Sequence, residues 1–243
     1  MKNYISIFIF AFLICSCQST KIKNKNYKIS PSLVELGSVG YSSSFLNTYN
    51  DFDIKTIPKL DSKIRLAVEI LPFTKKIHKL YVSKSKFNQN QPVVNFSDSL
   101  PRKPEIVIIR LLDTSGFAEE INASQNETLL KTLGKAKNEI VSSVVVSLPI
   151  EDIAKIRQSD SYYLTDLGNK KYVVQLYKDQ KKIAAIDISS GTILAYGLSH
   201  FCWASTNSGK FYVSDIIEGN RSCEGGTLSK INKKKASKNL FEL

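Results

Sequence analysis

The chain is short of the residues that most enzyme chemistry needs. It has two histidines, one tryptophan, one methionine and four cysteines in 243 residues. No GxxxxGK[ST] phosphate loop, GxGxxG turn, HExxH helix or EF-hand loop occurs in it. A GxSxG elbow to present a serine nucleophile is missing too. These gaps argue against P-loop nucleotide hydrolysis, dinucleotide binding, zincin-type proteolysis, calcium sensing and α/β-hydrolase chemistry. Arginine is scarce as well: Arg65, Arg102, Arg110, Arg157 and Arg221 are set against a Lys+Arg total of 34 and a net charge of +12. Arginine is the residue that reads phosphates and base edges bidentately, so a basic chain built on lysine is not expected to bind nucleic acid.

What is present begins at the N-terminus. Met1-Lys2 precedes the apolar run "ISIFIFAFLI" (5–14), which leads directly into Cys15-Ser16-Cys17 and then the polar stretch "QSTKIKNKNYK". A spanning helix needs about 20 apolar residues, so this run is too short and reads as a secretory signal. Its end, Ile14-Cys15-Ser16-Cys17, resembles the lipobox of bacterial lipoproteins, with Cys17 as acceptor. Placing the acceptor at Cys15 would put Ile14 where a small residue is wanted. The resemblance implies a diacylglyceryl thioether on Cys17, cleavage after Ser16 and acylation of the new N-terminus. It thereby implies a lipid bilayer as a partner, because two or three acyl chains anchor durably where one does not. Gln18 is not the aspartate that retains some lipoproteins in the inner membrane, so the outer membrane is favoured.

With Cys15 removed and Cys17 lipidated, Cys202 and Cys223 are left in the folded domain. Export places them in a disulfide-permissive compartment, and a bridge between them is expected. It would close a loop of about twenty residues and contribute about 3 kcal/mol in the chain-entropy picture. The metal alternative is weaker, since no CxxC pair exists and His200 is the only histidine near Cys202, with His78 distant in sequence. No metal site and no cofactor are expected.

The expected organisation is a signal at 1–16, a lipidated cysteine and flexible basic tether at 17–32, and a globular domain at 33–228. Residues 33–104 could form a smaller subdomain, and a basic tail occupies 229–243. Within the domain, 63–71, 78–84, 93–96, 105–113 and 139–148 read as strands, of which 105–113 is apolar on both faces and therefore central. Ser124 and Glu127 suggest a capping box opening a helix over 125–138, and 150–158 reads as a short amphipathic helix. Strands at 161–165, 171–177, 182–188, 192–198, 200–205 and 210–217, separated by turn signals such as "DLGN" and "NSG", suggest a C-terminal meander. The fold class is α+β: a mostly antiparallel β-sheet with a C-terminal β-meander and one or two helices packed on it.

Candidate catalysts are few. Ser199-His200 is adjacent in sequence, but adjacency does not build a triad. Asp113, Glu119, Glu120, Asp160 and Asp166 lie near element ends and could in principle pair for glycoside chemistry. The tyrosines at 162, 163, 172, 177, 196 and 212, with Phe201, Trp203 and Phe211, fall on the meander, where aromatics suit a β core better than an exposed sugar platform. No catalytic residue is assigned. The expected function is that of an envelope lipoprotein, non-enzymatic, which binds another envelope protein as an accessory subunit. A lipid-anchored glycan binder or glycan-acting hydrolase is the alternative.

Overall fold

The structure is a computed structural model that describes residues 19–29, 34–42, 52–85, 94–133, 138–219 and 221–231. The segment expected as a signal, with Cys15 and Cys17, and the expected tail from 232 onward lie outside the described residues. Twelve strands form one sheet in which every pairing is antiparallel. In chain order these are β1 (Ser19–Ile22), β2 (Lys25–Lys28), β3 (Val39–Ser42), β4 (Phe52–Thr56), β5 (Ile64–Pro72) and β6 (Glu105–Leu111). They continue with β7 (Glu139–Ser147), β8 (Ser161–Asp166), β9 (Tyr172–Lys178), β10 (Lys181–Ile186), β11 (Thr192–Ser205) and β12 (Phe211–Glu218). The spatial order is β1-β2-β11-β7-β6-β5-β8-β9-β10, with β12 on β11, β3 on β7 and β4 on β3. The described helices are α1 (Lys75–Ser85), α2 (Thr114–Asn122), α3 (Glu127–Leu133) and α4 (Ile150–Gln158).

The sheet centre is buried on both sides, which is why its strands read as apolar runs instead of alternating. In β6, Val107 and Ile109 face one hydrophobic cluster while Ile106 and Ile108 face another. In β7, Val144 and Val146 share the first side and Val145 takes the second. The first side is covered by Phe117 and Ile121 of α2, Leu130 and Leu133 of α3, and Ile153 and Ile156 of α4. The second is covered by Ile77 and Tyr81 of α1 and by Ile22 and Tyr27 of the β1–β2 hairpin.

The α+β class and the dominant antiparallel sheet match the sequence reading. Several parts differ. The stretch read as a flexible tether is, from Ser19 to Lys28, a hairpin with Thr20, Ile22 and Tyr27 buried. Its apolar residues alternate, but lysines at the positions between them hide the period. The expected strand 78–84 lies in helix α1, where Ile77 and Tyr81 at i, i+4 face the sheet. No strand forms at 94–96. Ser124 opens a 3₁₀ turn, with no side-chain cap before it, and α3 starts only at Glu127. The unexpected α2 is capped by Asp113, whose Oδ1 accepts from Gly116 N–H at 2.8 Å, and α1 by Thr74, whose Oγ1 accepts from Ile77 N–H at 3.2 Å.

The six C-terminal strands do not form one meander. β8–β9–β10 make one edge of the sheet, whereas β11 crosses to lie between β2 and β7 and pairs with β12. The segments expected as separate strands at 192–198 and 200–205 are one strand, with register shifts at 193/195, 197/198 and 202/203. Such bulges bend a strand and let it change partners along its length. They also put the neighbours Leu194 and Ala195 into the same cluster.

Candidate functional site

A pocket of about 340 Å³ opens where the chain before β3 meets the β8–β9 turn and the turn after β10. Leu36, Ile188 and Ile193 give it an apolar wall, and Glu35, Lys171 and Asp187 give it charge. Each charged residue is placed by local chemistry. Gly37 turns the chain at φ +83°, and a Cβ there would lie 2.7 Å from the Tyr172 ring. Only glycine meets both conditions. The β8–β9 turn passes through positive φ at Gly168, Asn169 and Lys170 and delivers Lys171 to the rim. Asp187 starts a 3₁₀ turn over Ile188–Ser190, its side chain accepting from Ser189 N–H.

Lys171 Nζ lies 2.6 Å from Asp187 Oδ2. Ser189 N–H and Oγ–H donate to Asp187 Oδ1 at 2.9 and 2.6 Å. Burial pushes the Asp187 pKa upward, but the bonds from Lys171 and Ser189 outweigh it and hold the carboxyl below its ordinary range. Glu35 moves the opposite way. Residue 35 is exposed as a whole, yet partial burial of its carboxyl and the nearby Asp187 charge raise its pKa, against the pull of Lys171. A carboxyl pair driven apart in this way resembles an acid–base assignment. The geometry weighs against one, since both oxygens of Asp187 are committed to the turn and to Lys171. What remains is a small polar-rimmed cavity at the low end of ligand-pocket size.

Four of the five acids singled out from sequence are held by backbone. Asp113 caps α2. Glu120, 8 % exposed, accepts from Asp61 N–H at 2.8 Å and Ser62 N–H at 3.0 Å. Asp166 accepts from Gly168 N–H and Leu60 N–H, and Asp160 from Asp179 N–H. Glu119 is exposed on α2. Apart from Glu119, these residues fix turns, loops and helix starts, the ordinary work of carboxylates near element ends.

Cys202 and Cys223 are bonded to each other, as expected from their number and setting. His200 is buried beside them, and one of its ring nitrogens and the two sulfurs lie within 4.8 Å of one another. Metals take thiolates, and a disulfide offers none, so the bridged form is a crosslink and not a ligand set. His78 sits on α1 with its ring 5.1 Å from that of Phe96. The aromatics divide. Tyr172, Tyr196, Phe201 and Trp203 are core residues. Tyr163 and Tyr177 pack edge to face on the outside, with Lys63 over both rings.

Sequence reading missed the Glu35–Lys171–Asp187 group because three distant segments supply it. The one local signal was "DISSG", an acidic cap followed by serines. A scan against protein-family models, a search of curated proteins and a search of solved structures each found no match for this chain.

Proposed function

We propose that this chain is a lipid-anchored protein of the bacterial cell envelope, with the outer membrane as its favoured site. Its folded domain works by binding, as an accessory subunit docked to another envelope protein. The observation that carries the reading is the order of charge, apolar run, Ser16 and Cys17 at the N-terminus. Further support comes from the domain, where Asp113, Glu120, Asp160, Asp166 and the two histidines are engaged in caps, turns and packing. The experiment is in two parts. Replacing Cys17 by Ser should move the protein from the membrane fraction to the soluble fraction. Crosslinking of the anchored wild type in cells should capture one or two envelope proteins in stoichiometric yield. Retention of the Cys17→Ser protein in membranes contradicts the anchor, and an empty capture contradicts the accessory role.

A glycan-binding role is the second reading, favoured by the pocket at Glu35 and Lys171. A cavity of about 340 Å³ with an apolar wall and a charged rim suits a single sugar ring. Titration with envelope glycans separates the two readings, because Glu35→Gln should weaken glycan binding and leave protein capture unchanged.

A further inference from the structure

The β1–β2 hairpin and α1 lie side by side across one face of the sheet. The hairpin starts beside β11, where Lys28 pairs with Tyr196, and its turn reaches β5, where Lys23 pairs with Glu69. α1 follows β5 and packs Ile77 and Tyr81 into the same cluster as Ile22 and Tyr27. The two elements touch directly, with Lys76 Nζ donating to the Lys21 carbonyl at 3.4 Å.

The outer surface of this layer is basic. Lys21 and Lys23 point outward from the hairpin, and Lys75, Lys76 and Lys79 from α1, which contains no acidic residue. The acids within reach are already paired: Glu69 with Lys23, Asp98 with Lys75, and Glu218 with Lys25. Lys21, Lys76 and Lys79 are left without an ion pair among the described residues.

The position of the anchor gives this charge a partner. β1 begins at Ser19, two residues after Cys17. Two residues span at most about 7 Å, whereas fifteen flexible residues would reach about 20 Å. Screening in physiological salt has a length of about 8 Å, so a domain held this close senses the charge of the bilayer surface, and one on a long tether does not. We infer that the hairpin–α1 face is the membrane-contacting surface of the anchored protein, with Lys21, Lys76 and Lys79 binding the phosphate groups of anionic phospholipids. This rests on the proposed acylation of Cys17. It replaces the expected flexible tether at 17–32 with a domain seated on the head groups.

The test uses the full-length protein purified from membranes and reconstituted into two kinds of vesicle, phosphatidylcholine alone and phosphatidylethanolamine with phosphatidylglycerol. A water-soluble amine reagent labels the lysines, and mass spectrometry reads each site. Each lysine near an anionic surface is expected to gain about five-fold in partitioning. Labelling of Lys21, Lys76 and Lys79 should accordingly fall about five-fold in the anionic vesicles and recover at about 0.5 M salt. Lys182, exposed on the strand at the opposite edge of the sheet, should label equally in both. Equal labelling of the three face lysines in both vesicles, with Cys17 acylated, overturns this inference alone. An unmodified Cys17 in the same spectra overturns the anchor, and this inference with it.

Discussion

The ring of Tyr27 lies over Gly197: a Cβ at position 197 would sit 3.8 Å from Tyr27 Cδ1 and would collide with Ser143 Oγ. This contact docks the N-terminal hairpin onto β11 and β7, and Tyr27 is only 3 % exposed. Truncating a buried aromatic costs about 3–5 kcal/mol. Tyr27→Ala should lose about that much in urea unfolding, and trypsin should then cut at Lys21, Lys23 and Lys25 before the rest of the domain. Cleavage at the same rate in wild type and variant would mean that the hairpin is not docked.

The disulfide ties β11 to the segment after β12. Cys202 and Cys223 are 21 residues apart in sequence, a loop whose closure contributes about 3 kcal/mol. Trp203 also exchanges backbone hydrogen bonds with Leu228, at 2.8 Å each way. Cys223→Ser should lower the unfolding free energy by about 3 kcal/mol and should expose Leu228 to faster amide exchange. A variant as stable as wild type would show that the ladder alone holds this segment.

Two buried polar side chains hold the loop before β5. Asn126 Oδ1 accepts from Lys59 N–H and its Nδ2 donates to the Lys59 and Glu120 carbonyls, while Glu120 accepts from Asp61 and Ser62. Removing either leaves buried backbone groups unpaired, at about 1–3 kcal/mol each. Glu120→Ala and Asn126→Ala should each destabilise by about that amount. The double variant should fall short of the sum, because both act on one loop. Full additivity in a double-mutant cycle would contradict the shared role.

Tyr172 makes the domain sensitive to alkali. Burial drives its phenol pKa far above the ordinary value, with the charges of Asp166, Glu120 and Glu35 adding to the effect, and the hydroxyl donates to the Pro58 carbonyl. In the unfolded chain the phenol ionises near pH 10 and in the folded protein it does not. Stability is therefore fully present below about pH 10 and declines as pH rises above it. Tyr172→Phe should be somewhat less stable at pH 7, having lost a hydrogen bond, and should show a shallower decline between about pH 10 and 12. Parallel stability–pH curves for the two proteins would contradict this.

The sequence was most legible where burial was two-sided or the period was uninterrupted. Ile106 to Ile109 announce a central strand, Val144 to Val146 a strand, and Ile153 with Ile156 announces α4 at the bounds found. It was least legible where charge is laid over structure. The lysines between Thr20, Ile22 and Tyr27 made a docked hairpin look like a tether. Tyr81 and Val82, both strand formers, made α1 look like a strand. The pocket could not be read at all, because Glu35, Lys171 and Asp187 acquire their relation only when β3, β9 and β10 converge. The disulfide was legible from the number of cysteines together with the N-terminal signal, which leaves Cys202 and Cys223 in an exported domain.

The central claim is the anchor, and its most direct measurement is the mass of the N-terminal peptide of the protein extracted from membranes. The account predicts a peptide that begins at Cys17 and carries a diacylglyceryl thioether and an amide-linked acyl chain. A peptide that begins elsewhere, or an unmodified Cys17, contradicts it.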